Sequence, residues 1–302
     1  MKPSPSWEGR VALLIADGVT VADEPACAKF LAANNYQRFH DYLRYFQRPG
    51  GSSGLKYWSG TTFEEIRQIY DDDAALRLLL TEPLAQVELL LRSHVARVIA
   101  DEFGAEGRYV QADFYADYGG DRTFPSLLRD IERSKEPEVL RYTSRGTNQQ
   151  ELRKLPVWAA VEALSFGTLS KCIDRGGYGG LADLVATSLG VAKAGFGSRV
   201  KALVYLRNRC AHHNRLWNHS VVDAGATPNN VRYKARRLAG GFEPRSVLDV
   251  VASLDDVLVR GLTGSGGSAG SAMLPYLAEE FGVGSVFWQG IADPQNPRDY
   301  QG

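Results

Sequence analysis

The chain has 302 residues, 44% of them hydrophobic and 23% charged, and its 35 basic residues balance its 35 acidic ones. This composition supports a folded core and excludes a globally disordered chain. A neutral chain has no overall field to attract nucleic acid or an anionic membrane, so any such contact needs a local patch.

The cysteines and the apolar runs indicate the compartment. Three cysteines, far apart in the chain, form no disulfide framework, which favours a reducing environment. The longest early apolar run, residues 11–16, is shorter than a signal-peptide core or a membrane span. We therefore expect a cytoplasmic protein that has no membrane partner.

The N-terminal half shows helical patterns. Residues 7–30 predict two short helices, and the aromatic residues of 36–46 recur at helical spacing, which favours core packing over base stacking. Residues 49–54 predict a loop. A capping box opens a long helical pattern from 62 to 103, which Pro83 is expected to kink or split.

Helical patterns continue in the second half. We predict helices at five further segments: 125–142, 156–173, 181–189, 198–213 and 245–262. Residues 264–271 predict a Gly/Ser-rich linker. No alternating run of convincing length occurs, so the predicted class is all-α, with at most a minor strand pair near the C-terminus.

Residues 203–218 hold the strongest candidate for chemistry. Three of the five histidines lie between 212 and 219, and no acidic residue occurs between Asp183 and Asp223. That window holds six basic residues, namely Lys193, Arg199, Lys201, Arg207, Arg209 and Arg215. Since polyanions bind by exchanging counterions for such side chains, the window predicts a local RNA-binding patch.

Arg207 and His212 supply the groups that RNA cleavage requires. A histidine can exchange a proton with the 2′-hydroxyl or the leaving 5′-oxygen, and an arginine can stabilise charge at phosphorus, with no metal needed. On a regular helix, residues five apart point roughly 140° from each other, whereas Asn208 and His212 share a face. This divergence favours a site completed across a homodimer.

The same segment carries a family resemblance. Its string L-R-N-x-C-A-H-H-x-R-L-W-N, residues 206–218, resembles the Abi-like family of bacterial abortive-infection proteins, of the AbiD/AbiF type, and contains the R-x4-H signature of HEPN domains. Four other segments resemble the family in the same order, at 35–46, 63–92, 132–142 and 155–170. The resemblance covers about residues 7–219. It departs at residues 71–74. Asp71–Asp73 replaces part of the family's usual run, and Ala74 stands where the arginine of that run is expected.

The resemblance implies a HEPN-like helical bundle that dimerises and cleaves RNA without a cofactor. It further implies phage defence, or a toxin restrained by an RNA or protein antitoxin. By motif match, Arg207 and His212 are catalytic, and Asn208 orients His212. We expect residues 1–60 to be an N-terminal helical elaboration, 61–222 the core with the site, and 223–302 an extension of unknown role.

Further site residues are assigned by position. Glu162, on an apolar stretch, is a candidate to orient Arg207 or His212, or to pair with another arginine, because an unpaired buried carboxylate is costly. The spacing of Glu88 and Arg92 predicts a plain helix pair. The expected RNA contacts are Arg209, His213, Arg215 and Lys201.

Other hypotheses stay open for the Arg207–His212 segment. One alternative is a buried polar cluster that fixes a helix interface, and another is a non-catalytic RNA-binding or regulatory module. A basic helix that serves only as a dimer interface is a further alternative. A zinc site from Cys210, His212, His213 and His219 is another, although the spacing matches no standard pattern.

Overall fold

The computed structural model describes residues 6–48, 55–117, 122–143, 149–221, 225, 227–264 and 272–294. The predicted loop at 49–54 lies outside them, as does the predicted linker at 264–271 except for Gly264, which is the last residue of a helix. The all-α class is confirmed, with fifteen α-helices in the described ranges. The minor strand pair expected near the C-terminus is wrong, because the described residues form only two isolated bridges, both in the N-terminal part.

One compact unit contains the chain up to Leu76. Its described residues form three short α-helices and the start of a long one, with bounds α1 Trp7–Ala16, α2 Glu24–Ala33, α3 Tyr36–Leu43 and α4 Phe63–Phe103.

Aromatic side chains form the core of this unit. Phe30 makes edge-on contacts with Phe39 and Phe63 at ring-centroid distances of 5.6 Å. Tyr42 is buried, and its hydroxyl donates to the buried carboxylate of Asp73 at 2.5 Å. The aromatic residues of 36–46 thus contribute to core packing. The acidic run at 71–73 supplies a buried acceptor.

Helix α4 continues through its proline. Thr62 caps it by accepting from the Glu65 N–H at 3.1 Å, as the sequence predicts. Pro83, which was expected to kink or split the helix, does not split it, because the element is continuous from Phe63 to Phe103. Leu80 and Leu84 are fully buried on either side of the proline, and this packing holds the turn helical.

A second compact unit contains residues 77–295. After α4, its helices are α5 Thr123–Arg133, α6 Pro137–Thr143, α7 Gln149–Leu152, α8 Val157–Ala163, α9 Phe166–Arg175, α10 Leu181–Leu189, α11 Phe196–Ala211, α12 Asn229–Ala239, α13 Val247–Gly264, α14 Met273–Phe281 and α15 Val286–Ala292.

Two predicted helices of this unit are each divided in two. The segment 125–142 breaks before Pro137, since a residue that precedes proline favours extended backbone. The segment 156–173 breaks at Leu164. Ser165 then caps α9, with its hydroxyl accepting from the Thr168 N–H at 3.2 Å. Helix α11 begins at Phe196 after Gly195 (φ 69°), so the expected cap at Ser198 is wrong.

Helix α13 packs against α11. Arg199 of α11 is 1% exposed, and its guanidinium donates to Asp256 at 2.7 Å and to Ser253 Oγ at 2.9 Å. Arg199 therefore serves the core and contributes nothing to a surface patch. The Asn218 N–H donates to the Gly290 carbonyl at 3.0 Å, which ties α15 to the end of the predicted site. Among the described helices, none combines the length and the apolar character needed to cross a membrane.

Candidate functional site

Helix α11 carries Arg207 at the edge of its buried face. Val200, Leu203 and Leu206 are fully buried against the core, whereas the Arg207 side chain is 37% exposed. The guanidinium carbon lies 5.8 Å from the ring centroid of Phe166, the first residue of α9. Arg207 is thus positioned by packing while it remains accessible.

Glu88 of α4 fixes the Arg207 guanidinium. Arg207 Nη2 donates to Glu88 Oε2 at 2.9 Å, and Arg207 Nη1 donates to Asn208 Oδ1 at 3.1 Å. The Glu88 side chain is only 13% exposed. A partly buried carboxylate therefore holds the guanidinium in one orientation.

The same carboxylate also binds Arg92, one turn further along α4. Arg92 Nη2 lies 2.5 Å from Glu88 Oε1 and donates to the Leu164 carbonyl at 2.8 Å, while Nη1 donates to the Val161 carbonyl. The predicted pair of Glu88 and Arg92 is present, and it links α4 to the turn between α8 and α9. We call Glu88, Arg92 and Arg207 the arginine–carboxylate cluster.

His212 lies at the C-terminal cap of α11. Its backbone N–H donates to the Asn208 carbonyl at 3.0 Å, and its side chain is exposed. The imidazole makes no hydrogen bond, ion pair or ring contact with any residue in the described ranges. The Asn208 amide oxygen accepts a hydrogen bond from Arg207. In the described residues, the Asn208 side chain therefore contacts Arg207 and not the His212 imidazole.

The turn after α11 uses two of the predicted RNA-contacting arginines. Arg209 Nε donates to the Arg215 carbonyl at 3.0 Å, and Arg215 Nη1 donates to the Trp217 carbonyl at 2.7 Å. His213 adopts the left-handed conformation (φ 55°) and is exposed. These bonds fix the backbone around His212, because both guanidinium groups bind carbonyls of the same turn.

His219 has a structural position. Its ring stacks on Tyr205 with centroids 5.6 Å apart, and its Nε2 lies 2.5 Å from the Tyr205 hydroxyl. Burial, together with the positive charges of Arg209 and Arg215, lowers the pKa of His219 to about 4. His219 is therefore neutral near pH 7, and it packs behind the turn that presents His212.

Two predicted site residues lie outside the arginine–carboxylate cluster. Lys201 is exposed on α11, about 9 Å along the helix axis from Arg207. Glu162 is exposed and lines a groove with Arg92 and Trp158, and the carboxylate that contacts Arg207 is that of Glu88. The prediction for Glu162 assumed one helix from Trp158 to Phe166. This assumption is wrong, because the helix ends before Leu164.

No three His, Cys, Asp or Glu side chains of the described part are grouped to hold a metal ion. Cys210 is buried on α11, whereas His212 and His213 are exposed and His219 contacts Tyr205. The four residues of the zinc hypothesis therefore do not converge on one point.

The architecture and this site define an all-helical protein that presents an arginine and an exposed histidine at the end of one helix. A family model described as Abi-like protein matches residues 29–218, more than half of the chain. The chain therefore belongs to the Abi-like family, and this membership suggests a role in abortive infection, a defence against phage. No curated protein and no solved structure matches the chain.

Proposed function

We propose that this protein is a metal-independent endoribonuclease of the HEPN type and the AbiD/AbiF group. One observation carries the proposal. Within the family match, the guanidinium of Arg207 is fixed by Glu88, and His212, whose imidazole is exposed, is the C-cap residue of the same helix. An oriented positive charge and an accessible proton-transfer group are the two elements that cleavage by the 2′-hydroxyl requires.

In the proposed reaction, the 2′-oxygen attacks phosphorus and the bond to the 5′-oxygen breaks. His212 takes the proton of the 2′-hydroxyl or gives a proton to the leaving 5′-oxygen. The products are a 2′,3′-cyclic phosphate and a 5′-hydroxyl. Arg207 stabilises the phosphorane. Its bonds to described residues use two of its five N–H groups, which leaves donors for phosphate oxygens.

The site is completed by a second copy of the chain. Arg207 and His212 make no contact with each other in the described residues, and one histidine cannot serve as base and acid at the same moment. A two-fold partner that brings a second Arg207 and His212 supplies the missing group. A cytoplasmic location, with restraint by an RNA or protein antitoxin, belongs to the same proposal.

The chemical step is tested by the substrate. An RNA that carries 2′-deoxyribose at the mapped cleavage site should bind like the parent RNA and remain intact, because the nucleophile is missing. Mass spectrometry of the parent products should show 2′,3′-cyclic phosphate ends. Cleavage of the 2′-deoxy substrate at the same position would contradict the mechanism.

The second candidate is a non-catalytic RNA-binding or regulatory module. One observation favours it, since no side chain of the described residues orients the His212 imidazole. In that case His212→Ala keeps the biological effect in cells. Charge removal at Arg207 and at the exposed Lys201 abolishes it.

A further inference from the structure

An open groove of about 440 Å³ lies between α4 and α8, next to the arginine–carboxylate cluster. Its volume falls in the range of about 300–1,000 Å³ that is typical of small-ligand sites. Its side chains include Leu89, Arg92, Arg97, Asp101, Trp158 and Glu162. We propose that this groove binds one nucleotide of a single-stranded RNA, with the base stacked on Trp158. The inference rests on the proposed function in that RNA is the ligand.

Trp158 offers an aromatic surface. It is 56% exposed on α8, although its neighbours Val157 and Ala159 are buried, and Leu89 across the groove is 62% exposed. An indole stacks on any base, and such stacking is one of the two attractions, beside positive charge, that hold a single strand. The groove therefore has the apolar component that a nucleobase requires.

Arg97 supplies a positioned positive charge at the groove. Its guanidinium donates to Ser188 Oγ, which lies 2.6 Å from Nδ1 of the buried His94. Burial and the charge of Arg97 lower the pKa of His94, so the imidazole is neutral and is suited to accept the Ser188 hydrogen. This chain of contacts restrains Arg97, and its remaining donors are available to a phosphate.

The charges of the groove fit a nucleotide better than a general polyanion. Two arginines, Arg92 and Arg97, are accompanied by two carboxylates, Asp101 and Glu162. Carboxylates repel a continuous phosphate backbone, but they accept hydrogen bonds from base amino groups. One phosphate and one base together satisfy both kinds of side chain.

Arg92 connects the groove to the proposed cleavage site. It lines the groove, and it shares the Glu88 carboxylate with Arg207. The side chains of Arg92 and Glu88 therefore lie between a nucleotide in the groove and Arg207. In the proposal, this nucleotide is adjacent to the one that is cut, so the groove helps to position the RNA for cleavage.

The test measures binding of the full-length protein to a fluorescein-labelled, unstructured RNA of twelve 2′-fluoro nucleotides, which cannot be cut through the 2′-hydroxyl. The variants are Trp158→Ala, Trp158→Phe and Arg97→Gln. The matched controls are Tyr233→Ala and Arg237→Gln, since Tyr233 is 66% exposed and Arg237 lies 5.6 Å from its ring centroid on α12, outside the groove. Circular dichroism verifies folding.

We expect Trp158→Ala to raise the Kd about five- to 150-fold, which is the range of one base–aromatic stack. Trp158→Phe should retain part of the affinity. Arg97→Gln should weaken binding and reduce the salt dependence by about one counterion. Both controls should stay within about twofold of the wild type.

Three outcomes would overturn the subsite. The first is a Kd for Trp158→Ala equal to that of the controls. The second is a wild-type protein that binds no RNA. The third is a Trp158→Ala variant that is a monomer where the wild type is a dimer, with unchanged RNA affinity per chain. The last result would make the groove a contact between copies. Cleavage of unmodified RNA by the same samples separates the two proposals. Cleavage with a KM that is independent of Trp158 rejects only the subsite, whereas Trp158-dependent binding without cleavage rejects only the ribonuclease.

Discussion

Replacement of Glu88 by glutamine should destabilise the protein much more than removal of the proposed catalytic arginine. Glu88 is 13% exposed and accepts hydrogen bonds from Arg92 and from Arg207. Arg92 is 11% exposed, so its charge depends on this carboxylate and on two backbone carbonyls. Arg207 is 37% exposed, and water can solvate its charge when the carboxylate is lost.

These exposures set the expected magnitudes. A buried hydrogen bond to a charged group contributes about 1.5–3 kcal/mol, and a largely exposed ion pair contributes about 0–1 kcal/mol. Glu88→Gln should therefore lower the free energy of unfolding by about 2–4 kcal/mol. Arg207→Met should lower it by at most about 1 kcal/mol. At about 2–4 °C per kcal/mol, Tm should fall by about 4–16 °C for the first variant and by less than about 4 °C for the second.

Thermal and urea unfolding of a double-mutant set measures the pair terms directly. Arg92→Met and Arg207→Met are each made in the wild type and in Glu88→Gln, and the coupling energies are compared. Glu138→Gln is the matched control, since Glu138 and Arg141 form a pair that is 59% and 69% exposed. The control should change Tm very little.

A free energy of unfolding for Glu88→Gln within about 0.5 kcal/mol of the wild-type value would refute this prediction. A larger coupling energy of Glu88 with Arg207 than with Arg92 would also refute it. Either result would mean that the carboxylate is not held between a buried and an exposed arginine.

Two further predictions concern pH. Burial first, and then Arg209 and Arg215, lower the pKa of His219 to about 4, so His219 contributes stability above its ordinary value of 6.5 that is lost as the pH falls towards 4. His219→Gln should flatten the fall of Tm on acidification, and a Tm–pH curve parallel to that of the wild type would contradict this. Burial raises the pKa of Asp255 from 3.8 to about 6, although its carboxylate accepts the N–H groups of Met273 and Leu274. Its contribution is therefore lost as the pH rises from about 4 to 6. Asp255→Asn should make stability fall more steeply on acidification across that window, as measured by melting curves at pH 4–7.5, and an unchanged slope would reject the assignment.

Local signals in the sequence predicted much of the fold. Thr62 caps α4 by accepting from the Glu65 N–H, and the helix predicted at 181–189 has those bounds. Periodicity also predicted core packing for the aromatic residues of 36–46, and Phe39 and Tyr42 of α3 are buried. These features depend on residues within a few positions of one another.

Contacts between distant segments could not be predicted in the same way. Glu88 and Arg207 are 119 residues apart, so the spacing of Glu88 revealed only its partner one turn away. Arg199 was counted in the basic patch, yet its partner Asp256 follows 57 residues later and draws it into the core. The packing that keeps α4 continuous at Pro83 likewise lies in the tertiary structure.

The central claim is that His212 is the proton-transfer group of a metal-independent ribonuclease, and cleavage of labelled RNA in EDTA tests it most directly. Wild type and His212→Ala are compared at equal RNA occupancy, because the exposed imidazole can be removed without disturbing the fold. The account predicts cleavage by the wild type and a loss of at least about 100-fold in the variant. Cleavage at the wild-type rate by His212→Ala, or activity of the wild type only after a divalent metal is restored, would contradict it.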